Sequence, residues 1–130
     1  MTIDTIMKKD PNGRELVTFA EQTATTLVGN NLTRAQIRNI FTEVRKIEAS
    51  WDSDPVKAMR RLNMLKPKLD YSASRTKSVE VLKVVLTDAI NKVAEVADTD
   101  AVERDRRFRV FMDLFEAILA YHRAKGGRSN

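Results

Sequence analysis

Apolar residues recur along most of the chain three and four positions apart, the interval of a helix face, and no stretch alternates as a strand does. Leu16, Phe19, Ala20, Thr23 and Leu27 predict a helix over 14–28, ended by Gly29, Asn30 and Asn31. The next helix has its own start signal. Thr33 can cap it, Gln36 can reach back to Thr33, and Leu32 can staple onto Ile37. Its apolar face continues through Ile40, Val44, Ile47 and Trp51. Asp54 before Pro55 starts a short third helix that buries Ala58, Met59, Leu62 and Leu65. Pro67 has no N–H and biases Lys66 away from helical geometry, so a break or kink is expected there. Residues 72–74 then read as a short connection.

A long helix follows over about 76–97, with Val79, Leu82, Leu86, Ala89, Ile90, Val93 and Ala97 on one stripe. Val81, Val84 and Val85 lie off that stripe, which predicts a central helix packed on several sides or lining a subunit contact. An acidic loop at 98–105 leads into a last helix carrying Phe108, Phe111, Met112, Phe115, Ile118 and Leu119, closed by Gly126 and Gly127. The acidic loop lacks the spacing and the turning glycine of a calcium loop, and reads as a solvated linker with a helix cap. Asp10-Pro11-Asn12-Gly13 is a turn, and residues 1–13 are expected to be a loose tail. The fold class predicted is all-α: a compact bundle of about five helices in one domain over 14–127, with a short tail at 128–130.

Charge changes the picture, because it is unevenly placed. The chain of 130 residues has a formal charge of +5 and a pI near 9.7. Residues 33–92 hold thirteen basic and seven acidic residues, a net +6, and the remainder is slightly acidic. Such asymmetry favours a polyanionic partner. Arg34, Arg38 and Arg45 fall within about 40° of one another on their helix and form a candidate phosphate-tracking ridge. The window 57–77 has seven basic residues and one acid, Asp70. Within it Lys66, Lys68 and Arg75 surround the expected break, with Leu65, Leu69 and Tyr71 pinning the segment to the core. Arg60, Arg61 and Lys77 are further cationic candidates from charge alone.

Little here supports catalysis. Without cysteine there is no disulfide or thiolate–metal site, and with one histidine there is no site that needs two imidazoles. His122 falls near the end of the last helix, suited to the helix dipole or the edge of the core. No glycine-rich loop with a following lysine suggests nucleotide binding, and no nucleophile elbow supports serine hydrolysis. Residue 119, three before His122, is leucine, so the Glu-x-x-His motif of di-iron bundles is absent. No cofactor is expected. No apolar run approaches the length of a bilayer span, the first residues lack a signal-peptide core, and a cytoplasmic location is expected. The phenylalanines fit a core stripe, so any nucleic-acid contact is expected to run through phosphates and to be insensitive to sequence.

Three stretches taken in order carry a family resemblance: LTRAQIRNIFTEVRKI (residues 32–47), LNMLKPKLDYSASR (62–75) and RFRVFMDLFEAILAYHRAKGG (107–127). Together they resemble the small subunit of type III-A (Csm-type) CRISPR–Cas effector complexes. The resemblance implies an all-helical subunit, not an enzyme, serving antiviral defence. It implies contacts with guide RNA and target RNA, with the backbone subunits and the large signature subunit, and with neighbouring copies of itself. Cleavage would belong to the other subunits, and sequence specificity to base pairing. Carried onto this chain, it makes Arg38, Arg45 or Lys46, and Lys66, Lys68 and Arg75 candidate RNA contacts, to which charge alone adds Arg34, Arg60, Arg61 and Lys77. Asp70 departs from the pattern, which has a small residue there. The alternative reading is a helical scaffold whose basic surface meets acidic protein partners rather than RNA.

Overall fold

The start signals in the sequence place the helices of the computed structural model, which describes residues 2–129. The helices are α1 (Thr2–Lys8), α2 (Arg14–Gly29), α3 (Arg34–Trp51), α4 (Pro55–Arg75), α5 (Glu80–Ala94) and α6 (Ala101–Ala124), with a 3₁₀ turn at Lys77–Val79 before α5. Thr33 and Gln36 form the expected reciprocal box: Thr33 Oγ1 accepts from the Gln36 amide at 3.1 Å, and Gln36 Oε1 accepts from the Thr33 amide at 2.8 Å. Leu32 and Ile37, the expected staple pair, are both fully buried. Asp54 caps α4 ahead of Pro55, and Asp100 caps α6 by accepting from the Glu103 amide. The class is all-α, with six helices among the described residues rather than about five.

Packing runs outward from α5 and α6. Helix α2 lies along α6, α4 packs on both α3 and α5, and α5 also meets α1, α2 and α6. The expected central helix is therefore α5, which buries Leu82, Val85, Leu86, Ala89, Ile90 and Val93 and leaves Val84 exposed. It ends at Ala94, short of the expected Ala97. Trp51 stacks on Phe108 with ring centroids 3.8 Å apart, and its Nε1–H donates to Asp105. Phe41 meets Phe115 edge-on at 5.1 Å.

Several local expectations are overturned, first at the N-terminus and then along α4. The loose tail is wrong for residues 2–8: α1 buries Ile6 and Met7 completely, and Arg106 donates to the Met7 carbonyl at 2.7 Å. Asp4 lies 2.8 Å from Lys92 and 2.9 Å from Lys8, and these hydrogen bonds hold its carboxyl down at about 2. The turn at 10–13 is real, with Gly13 at a φ of 75° and the Asp10 carboxylate accepting from the Glu15 and Leu16 amides. At the other end Arg128 is tied back, its carbonyl accepting from the Arg34 amide at 2.7 Å.

The break at Pro67 does not occur. Helix α4 runs through Pro67, and 72–74 belong to its last turns rather than to a connection. An interior proline costs about 3 kcal/mol. Burying a leucine contributes about 1.5–3 kcal/mol, and the unbroken stripe buries Leu62, Leu65 and Leu69, then Ala73. Pro67 faces solvent, and so does Asn63, whose carbonyl loses its helical donor and can be hydrated instead. Tyr71 is not an anchor. It is 64% exposed.

Candidate nucleic-acid interface

Because α4 is continuous, its cations fall into register along its whole length. At 100° per residue, Lys57, Arg61, Lys68 and Arg75 lie within about 40° of one another, roughly 100° round from the Leu62–Leu65–Leu69 core stripe. Exposed Met64 and Tyr71 sit on or beside the same line. No hydrogen bond or ion pair joins the side chains of Lys57 or Arg61 to an acid among the described residues. Arg75 donates to the Tyr71 hydroxyl at 3.2 Å, and Lys68 lies 3.7 Å from Glu43 on α3. The Glu43 carboxyl is held below its ordinary value, chiefly by the hydrogen bond from Lys46, with Lys68 and Arg61 adding their charge against a burial penalty. The stripe thus borders α3 along a shallow cleft that includes Asn39, Ile40 and Ser72, and Lys46 flanks it.

The other candidates are dispersed. Lys66 and Lys68 are two positions apart, which on a helix sends them to opposite flanks. Lys66 turns to α5 and donates to Asn91 at 2.9 Å. Asp70 is on that flank too, 3.3 Å from Lys83, whose pKa it raises. The one acid of the basic window is therefore held by α5 and does not oppose the stripe. Arg38 and Arg45 lie on the side of α3 away from α4, with Arg45 3.5 Å from Glu48 and 5.8 Å from the Phe41 ring centroid. Arg34 is half-buried beside the Arg128 tail, its Nε without a partner. Arg60 lines a separate hollow with Trp51, Pro55 and Met59, and Lys77 sits in the 3₁₀ turn beyond α4.

Lys57 was not among the sequence candidates. Its signal was present in the register, i and i+4 with Arg61, but the expected break at Pro67 hid its alignment with Lys68 and Arg75.

His122 does structural work. It is 1% exposed, and its Nε2 lies 2.8 Å from the Leu32 carbonyl, which can only accept, so Nε2 carries the hydrogen. Gly127 closes over the ring, where a Cβ would overlap it, and the Gly127 amide donates to the His122 carbonyl. Among the described residues no group of His, Asp and Glu is placed to hold a metal ion, and no helix is long and apolar enough to cross a membrane.

Fold and site define a small all-helical protein with a long cationic face along α4. Residues 10–128 match the Csm2 Type III-A family, and the chain belongs to it. It is a small structural subunit of type III-A CRISPR effector complexes, in which it works with other subunits. No curated protein and no solved structure matches the chain.

Proposed function

We propose that this subunit holds the guide RNA–target RNA duplex through sequence-independent phosphate contacts made by the α4 face. The observation that carries the reading is the line of Lys57, Arg61, Lys68 and Arg75, in which, among the described residues, only Lys68 has its side-chain charge within 4 Å of an acid. Such a line tracks a phosphate backbone and leaves sequence to base pairing. Lys46 extends it across the cleft, and Arg34, Arg38 and Arg45 form a second, separate cationic face. Lys66, Arg60 and Lys77 lie off this face and add only to the overall positive charge. The subunit does no chemistry of its own and works in the cytoplasm, beside the backbone subunits, the large signature subunit and further copies of itself. The absence of catalysis is supported by the buried, backbone-bound state of its one histidine.

The test is the triple variant Arg61→Glu, Lys68→Glu, Arg75→Glu in the full chain, titrated with an RNA duplex over a range of salt. Affinity is expected to fall about a hundredfold at low salt, with a shallower dependence on salt and an unchanged helical spectrum. Unchanged affinity in the folded variant would move the stripe from RNA to an acidic protein partner.

A further inference from the structure

We propose that Tyr71, held by Arg75, is a stacking site for an unpaired RNA base at the end of the α4 stripe. This rests on the phosphate-binding reading of the same face and adds a second kind of contact to it. Of the five phenylalanines, two tyrosines and one tryptophan, Tyr71 alone is exposed. Its exposure is not loose. Arg75 Nη1–H donates to its hydroxyl at 3.2 Å, and the guanidinium carbon lies 5.7 Å from the ring centroid. This fixes the ring one turn before Arg75 and three residues after Lys68. No other ring stacks on Tyr71 among the described residues.

A planar apolar face set between cations selects an occupant that is itself planar and bears negative charge close by. A nucleotide meets both requirements. Its phosphate is met by Lys68 or Arg75 and its base by the ring, a contact tolerant of sequence because every base has a π-face. Asp70, the nearest acid in sequence, lies on the opposite flank paired with Lys83, and of the two flanking cations Lys68 shares Glu43 while Arg75 has no acid within 4 Å among the described residues. A base closed inside a duplex cannot reach such a ring. The site therefore serves single-stranded, flanking or extruded nucleotides.

The experiment compares three probes on the full chain by fluorescence polarisation: a short oligouridylate, an RNA of the same length whose nucleotides are abasic, and a closed duplex. The native chain should bind the oligouridylate about tenfold more tightly than the abasic RNA. Tyr71→Ala should abolish that difference while leaving affinity for the abasic RNA, affinity for the duplex and the salt dependence unchanged. Tyr71→Phe should retain most of the difference. Equal binding of native chain to oligouridylate and abasic RNA, or an equal loss on the duplex in Tyr71→Ala, overturns stacking and leaves the phosphate reading standing. No salt-dependent binding to any of the three overturns both.

Discussion

Two stretches of this chain are rich in cations, the α4 face over residues 57–75 and the first turns of α6, where Arg104, Arg106, Arg107 and Arg109 fall within six residues. The second is the denser, yet its charge is engaged within the protein. Arg104 holds Asp98 at 2.6 Å and the Val96 carbonyl at 2.8 Å. Arg107 holds Glu103, Glu95 and the Lys92 carbonyl. Arg106 holds Glu103 and the Met7 carbonyl, and Arg109 holds Asp52 and Asp105. These arginines tie α1 to α6 and meet carbonyls at the C-terminal end of α5, where cations suit the helix dipole. Among the described residues the side-chain cations of α4 have one acid within 4 Å, Glu43, shared with Lys46. Cation density therefore does not single out the proposed binding face; the shortage of partner acids does.

The comparison breaks most sharply at Arg107, whose side chain is 12% exposed. Arg107→Ala takes one donor from each of two carboxylates, Glu103 keeping Arg106 and Glu95 keeping Lys92, and removes the guanidinium from the Lys92 carbonyl at the end of α5. A loss of about 3 kcal/mol in unfolding free energy is expected, read by urea titration, with RNA affinity per folded molecule unchanged. The triple α4 variant should do the reverse, losing RNA affinity about a hundredfold while its urea midpoint stays in place. If both variants lose stability alike, the two regions do the same work and the distinction fails.

That distinction was only partly legible in the sequence. The caps were, because Thr33, Gln36, Asp54 and Asp100 act within one turn of themselves. The core stripes were legible for the same reason, since helical period is a local property. Pro67 misled because its cost is local while its compensation, the burial of Leu69 and Ala73 against neighbouring helices, is not. On a helix broken at Pro67, Lys66 and Lys68 stand side by side and Lys57 shares no register with either. Helix α1 was missed because seven residues carry a weak periodic signal, and its place depends on Lys92 and Arg106, each more than eighty residues away. The engagement of the α6 arginines was equally out of reach, since Asp52, Glu95 and Met7 approach only in the fold.

Acid should affect the two regions unequally. Hydrogen bonds from Arg106 and Arg107 hold the Glu103 carboxyl at about 2, and those from Lys92 and Lys8 hold Asp4 there too. Both folded values lie below those of an unfolded chain, near 4. Their contribution to stability is therefore complete above about pH 4 and is lost as pH falls towards 2. Amide exchange in α1 and the first turn of α6 is expected to accelerate across that window before exchange in the middle of α4 does. Glu103→Gln should flatten the acid dependence at the start of α6 and leave α1 responding through Asp4. Exchange that accelerates uniformly along the chain would show that these pairs do not govern local opening.

The smallest effect expected is also the most discriminating for the assignment of faces. Lys66 and Lys68 have the same charge, stand two residues apart and are equally prominent in the sequence. Only their flanks differ, Lys66 meeting Asn91 on α5 and Lys68 meeting Glu43 on α3. Long-range attraction to a polyanion hardly distinguishes two charges so close, and it is screened beyond about 8 Å at physiological salt. Direct phosphate contact does distinguish them, because it requires the charge on the contacting face. Lys68→Glu alone is expected to weaken duplex binding about tenfold at moderate salt, and Lys66→Glu less than about threefold, with both proteins within about 0.5 kcal/mol of native stability. Equal losses would mean that net charge steers the RNA and that no single face of α4 contacts it. A larger loss at Lys66 would move the interface to the groove between α4 and α5, where Lys83 and Pro67 lie.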